Sequence, residues 1–255
     1  MDEVLEIVNE IKKGNIKPIY FLFGEEAFFI DKIASYIGEK VLNEEEKGFN
    51  QMVLYGKDAT IDEIVSHAKR FPMMAEKQVV IVKEAQHLSR TIENLHGYVE
   101  NPQPTTVLVF CYKYKKLDKR KALYKSIKKN GVVFESKKLY ENQVSDWLRK
   151  TLVSSGFTIS HKAAIILVEY LGTDLGRINN ELEKLKLAIP EKKEITPEDI
   201  VGSLHDRIAK VGAELIVKTL YQIEAEQYQE SHKMIVKLHM LLRLAKERLI
   251  GVLVQ

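Results

Sequence analysis

Apolar residues recur at helical spacing at Val4, Val8 and Ile11, and Gly14 follows as a stop. After Pro18 the pattern changes to a continuous apolar run, Ile19–Phe23, the mark of a strand buried on both faces. A helical pattern resumes at Ala27, Ile30, Ala34 and Ile37, with Gly38 expected to end it. Met52–Gly56 reads as a second, short strand, and Thr60-Ile-Asp-Glu63 as a capping box that opens a helix through Ile64, Val65 and Ala68. Gln78–Ala85 is a strong strand, Leu88–Tyr98 a helix, and Asn101-Pro-Gln-Pro104 a break. Thr105–Tyr112 predicts a strand, Ala122–Ile127 a helix and Gly131–Ser136 a last strand. Strands and helices thus alternate from about Ile19 to Ser136, which predicts βαβ units and a mainly parallel sheet.

Beyond Tyr140 the pattern is helical almost throughout: Val144–Leu152, Ser160–Leu171, Leu175–Leu187 and Pro197–Val201. Leu238, Leu241, Leu242, Ala245, Leu249 and Val252 form one further stripe. The expected organisation is an α/β domain over 1–140, a small helical domain over 141–201 and a short all-α domain over 202–255. A chain of 255 residues, 45% hydrophobic and 29% charged, has ample apolar residues for these cores. Its formal charge of +3 is too small to indicate nucleic acid by itself. The single cysteine, Cys111, rules out an internal disulfide and a cysteine-based zinc cluster in the monomer, in keeping with a reducing cytoplasm. No stretch approaches ~18 apolar residues, and the acidic amphipathic start is unlike a signal peptide, so neither a membrane partner nor secretion is expected.

The glycine after the first strand sits where many nucleotide-binding domains place a phosphate loop. From Gly24 the chain reads Gly-Glu-Glu-Ala-Phe-Phe-Ile-Asp. Phe29, Ile30 and Asp31 stand where such a loop needs its second glycine, its lysine and its hydroxyl, and Glu25 and Glu26 would repel a triphosphate. Lys83-Glu84 occupies the strand end that carries a magnesium-binding aspartate in active hydrolases. Two independent positions lack the chemistry, so neither ATP hydrolysis nor a bound cofactor is expected. The plainer description of Gly24, Glu25 and Glu26 is a strand–helix turn with acids favourably near a helix N-terminus. The seven histidines show no metal-ligand spacing, and no nucleophile elbow appears, so no catalytic or metal site is assigned.

Three other segments carry candidates. Phe71, Pro72, Met73 and Met74 precede the third strand. The methionines either plug the core or reach a groove on a partner, for which a flexible, polarizable pair is suited. Tyr112–Lys129 contains Lys113, Lys115, Lys116, Lys119, Arg120 and Lys121 with one acid, Asp118. It reads as a solvated basic face, or as a contact for DNA or an acidic partner. Asp174 is the expected N-cap of a helix in which Arg177 opposes the helix dipole. Such an arginine calls for a phosphate, a neighbouring subunit or an acid such as Glu181.

In order, PIYFLFGEEAFFIDKI, RFPMMAEKQVVIVKEAQHL, LYENQVSDWLRKTLVSSGFTIS and YLGTDLGRINNELEKLKLAI resemble the delta-subunit family of the bacterial DNA polymerase III clamp loader. The resemblance covers about residues 1–200. It implies an AAA+-like α/β domain with a degenerate phosphate loop, a helical lid domain and a helical collar that oligomerises. It also implies a partner, the beta sliding clamp, whose ring such subunits open for loading on primed DNA while sister ATPase subunits hydrolyse ATP. Other expected partners are those ATPase subunits and delta-prime. Phe71, Pro72, Met73 and Met74 fall at the family's clamp-binding segment, and Arg177 where related ATPases carry a phosphate-sensing arginine. The competing expectations are an active ATPase with an unorthodox loop, and a DNA-binding protein acting through 112–129.

Overall fold

A computed structural model of the chain describes residues 2–189, 194–202 and 238–243. The elements begin with α1 (Asp2–Lys12), β1 (Ile19–Gly24), α2 (Ala27–Lys40), α3 (Glu44–Asn50) and β2 (Gln51–Tyr55). There follow α4 (Ile61–Ala68), β3 (Gln78–Lys83), α5 (His96–Glu100), β4 (Thr106–Lys113), α6 (Ala122–Asn130) and β5 (Val132–Ser136). After them come α7 (Glu141–Ser154), β6 (Thr158–Ile159), α8 (His161–Leu171), α9 (Leu175–Ala188) and β7 (Glu194–Ile195).

Five strands form one parallel sheet in the order β2-β3-β4-β1-β5. Its centre is apolar on both faces because helices cover both. Every residue of β1 from Ile19 to Phe23 is buried, as is β4 from Thr106 to Tyr112. The Phe21 ring stacks on Phe110 at 5.5 Å and leans on Tyr112 at 5.6 Å. β2 lies at the sheet edge and exposes Val53 and Tyr55. The expected α/β fold with a parallel sheet is what the chain adopts, followed by helical segments.

By its contacts the chain divides into two compact units. One comprises 1–156 with 167–183; the other joins 157–166 to residues from Lys184 onward. In the first, Trp147 of α7 packs edge-on against Phe28 and Phe29 of α2. In the second, β6 and β7 pair in parallel. Most of 202–255, including Ala245, Leu249 and Val252 of the C-terminal stripe, lies outside the described residues; 238–243 is helical. Among the described residues no helix is long and apolar enough to cross a membrane.

Local expectations needed correction at three places. Gly38 does not end α2, which continues to Lys40; a Cβ at 38 would stand 3.1 Å from Ile81 Cδ1, so glycine there allows helix and strand to approach. Leu88–Tyr98 is not one helix. Ala85–Leu88 and Ile92–Leu95 are separate 3-10 turns, and α5 starts only at His96. The unexpected α3 is too short for a helical stripe and rests on a capping box, with Glu46 accepting from the Asn43 N–H at 2.9 Å.

Candidate functional site

At the C-terminal ends of the strands, the loop after β1 is closed on itself. Gly24 has φ +128°, and a Cβ there would lie 2.0 Å from the Ser136 carbonyl oxygen. That carbonyl accepts from the Glu25 N–H at 2.8 Å and from the Glu26 N–H at 3.5 Å. The Ser136 hydroxyl donates to the Glu26 carbonyl at 2.7 Å. The Glu26 carboxylate caps α2, accepting from the Phe28 N–H at 3.2 Å, and burial pushes its carboxyl above the ordinary range. A phosphate loop works by aiming free amides at phosphate. Here the Glu25 and Glu26 amides already hold the end of β5. The cleft of about 530 Å³ beside Gly24 is lined by Glu25, Glu135 and Glu141 as well as by Lys116, Lys137 and Lys138. Its charges balance rather than select an anion.

The second catalytic position is also filled. The Lys113 ammonium, at the end of β4, lies 2.9 Å from Asp31 and 2.9 Å from Glu84. Its side chain is only 12% exposed. Burial disfavours its charge, but the bonds to Glu84 and Asp31 outweigh this and hold it above the ordinary lysine range. The bond from Lys113, then that from Gln86, holds the Glu84 carboxyl below its ordinary range. Glu84 itself takes φ +51°, uncommon for a side-chain-bearing residue. Asp31 and Glu84 are thus bridged by a lysine of the same chain.

Lys113→Met removes the bridge and leaves two facing carboxylates. Both are partly solvated, so the expected loss is about 1–3 kcal/mol, below the full cost of breaking a buried pair. Glu84 has a lowered folded pKa, so its contribution is present above about pH 4.3 and is lost as pH falls through the folded value. Lys113 has a raised folded pKa, so its contribution is complete below about pH 10.4 and is lost as pH rises through the folded value. Melting curves across pH are therefore expected to show the largest gap between wild type and variant near neutrality, and a shrinking gap below about pH 4. A gap that stays constant down to pH 2 would show that the ion pairs do not stabilise the fold.

The basic segment is partly neutralised by its own surroundings. Beyond Lys113, Lys115 donates to Ser89 Oγ at 2.6 Å, and Lys116 lies 3.5 Å from Glu25. Lys119 pairs with Glu135 at 2.6 Å and Lys121 with Glu93 at 3.1 Å. Arg120 grips Asp118 with two bonds of 3.0 Å, which take the Asp118 carboxyl down to about 2. Arg177 is exposed in the first turn of α9 and has no ion pair among the described residues; Asp174 caps that helix by accepting from the Arg177 N–H at 3.0 Å. Glu181 is buried. Cys111 is buried in β4, which pushes its thiol up to about 12 and leaves it unreactive.

The other end of the sheet is different. Phe71–Lys77 leads into β3 as a loop, and its apolar side chains point to solvent: Phe71 is 76% exposed, Met73 61%, and Met74 fully so. The methionines do not plug the core. Their backbone is nevertheless held. Asn50, only 5% exposed, receives the Met73 N–H at 2.6 Å and returns its amide to the Met73 carbonyl at 2.9 Å. The buried Gln78 amide donates to the Arg70 carbonyl and, at 2.7 Å, to Thr106 Oγ. Met74 takes φ +54°, a conformation that a residue with a long side chain keeps only where its surroundings impose it. Flexible side chains on a pinned backbone can enter a partner's groove at low ordering cost. Asn50 and Gln78 escape a reading by hydrophobic period because they are polar residues at strand entrances. A buried amide there has no distinctive spacing.

Comparison with known proteins adds a family. The model for the DNA polymerase III delta subunit matches residues 20–137. The DNA polymerase III subunit delta of Bacillus subtilis (strain 168) is 30% identical over 235 residues, spanning 89% of this chain and 68% of the relative. A probable DNA polymerase III subunit delta of Aquifex aeolicus (strain VF5) is 24% identical over 192 residues, spanning 71% of this chain and 53% of that one. The solved structure of the Bacillus subtilis DNA clamp loader delta protein is similar at a TM-score of 0.65 and 28% identity, covering 88% of this chain and 73% of that chain.

Proposed function

The chain belongs to the DNA polymerase III delta-subunit family, and from that premise we propose that it grips the beta sliding clamp and opens the ring for loading on primed DNA without hydrolysing ATP itself. Phe71, Pro72, Met73 and Met74 are the grip. The observation that carries this reading is the Met73–Met74 pair, exposed on a backbone that the buried Asn50 holds from both sides. The protein works in the cytoplasm within a clamp loader whose ATPase subunits and delta-prime are its neighbours. In that assembly 1–140 is the AAA+-like clamp-binding domain, 141–201 the lid and 202–255 the collar. Arg177, exposed in the first turn of α9, stands at the sensor-like position, open to a phosphate or a sister subunit. Against an ATPase stand the closed Gly24 loop and the Lys113 bridge. Against a DNA contact through 112–129 stand the local partners of Lys113, Lys115, Lys116, Lys119, Arg120 and Lys121.

Surface plasmon resonance of the whole chain on an immobilised bacterial sliding clamp tests the reading. Saturable binding with the same Kd in the presence and absence of ATP and magnesium is expected. Binding that appears only with ATP would restore the nucleotide loop to a working role, and no binding by the folded chain would remove the grip.

A further inference from the structure

The exposed apolar surface does not end with the loop. Of the nine phenylalanines in the chain, two are exposed: Phe71, and Phe49 at 77%. Phe49 sits in the last turn of α3, immediately before Asn50. Asn50 is the residue whose side chain holds Met73 by both its N–H and its carbonyl. The two exposed phenylalanines therefore lie on either side of one hydrogen-bonded link. The topology explains the juxtaposition. Asn50 opens into β2 and the 71–77 loop opens into β3, and these are neighbouring parallel strands with Gln51 beside Val79. Both entrances are thus at the same end of the sheet. Scattered single apolar residues on a surface are ordinary; here two exposed rings and two exposed methionines sit on backbone segments tied together through Asn50.

We propose that Phe49 is a second anchor for the clamp surface that Met73 and Met74 grip. This inference rests on the reading of the 71–74 loop as the clamp-binding segment, because its only argument for the occupant is continuity with that loop through Asn50. A phenyl ring brings a large apolar area with few torsions to fix, and it complements the adaptable methionines. The same Asn50 link that holds the loop ties its backbone to the end of α3, so both segments are presented at one end of the sheet.

The test uses the whole chain and an immobilised bacterial sliding clamp, with wild type, Phe49→Ala, Phe49→Leu and Met73→Ala/Met74→Ala compared side by side. Phe49→Ala is expected to weaken binding by about 10-fold or more, and Phe49→Leu to retain most of the affinity. Neither should lower the melting temperature, since the ring is exposed and alanine favours a helix more than phenylalanine does. If Phe49→Ala binds as tightly as wild type while the methionine variant is weakened, Phe49 is no anchor and the loop reading stands. If wild type binds and neither variant is weakened, the loop reading and this inference fall together.

Discussion

Replacing Met73 and Met74 together by alanine is expected to weaken clamp binding by at least about 100-fold. Covering a methionine side chain contributes about 1.5–3 kcal/mol, so two contribute roughly 3–6 kcal/mol before association costs. A loss of about 2.7 kcal/mol, the equivalent of 100-fold, lies just below that range, which leaves room for the cost of ordering the two side chains. Stability is expected to change little, because exposed side chains contribute little packing to the folded state. Surface plasmon resonance reads the affinity and a melting curve reads the fold. A variant that melts with wild type and binds like it would move the contact away from the loop.

The largest expected effect on stability is at the opposite end of the sheet. Gly24→Ala places a methyl group 2.0 Å from the Ser136 carbonyl oxygen and asks alanine to hold φ +128°. Both demands act against the bonds that tie the Glu25 and Glu26 amides to β5. The expected loss is about 4 kcal/mol or more, a fall of roughly 8–16 °C in Tm for a unit of this size. Calorimetry checks it. Below that transition, clamp affinity is expected to match wild type, because Gly24 ends β1 while the 71–77 loop enters β3. An unchanged Tm would mean that the loop opens easily and that its closure is not structural.

The central strands were legible because a strand covered on both faces must be apolar along its whole length, as Ile19–Phe23 and Val107–Tyr112 are. The absence of a phosphate loop's lysine and hydroxyl was also legible, since Ile30 and Asp31 stand in their places. What replaced that chemistry was not. Asp31, Glu84 and Lys113 come from three separate segments, and only the strand order brings them within 2.9 Å. Ser136 meets Gly24 through the β1–β5 pairing, a contact across more than a hundred residues that no local pattern encodes. The same holds for Asn50, which reaches Met73 between adjacent strands. The pairing of the basic run 112–129 was not legible either. Its composition suggests a field of free cations, while Glu25, Glu93 and Glu135, which neutralise part of it, lie elsewhere in the chain.

Ring opening without nucleotide tests the central claim most directly. A labelled bacterial sliding clamp is loaded on nicked circular DNA, this chain is added alone with no ATP, and clamp remaining on the DNA is followed by gel filtration. The account predicts release by the wild-type chain and retention with Met73→Ala/Met74→Ala. A clamp that stays on the circle with a wild-type chain shown to bind it would contradict ring opening and reduce the protein to a clamp-binding module.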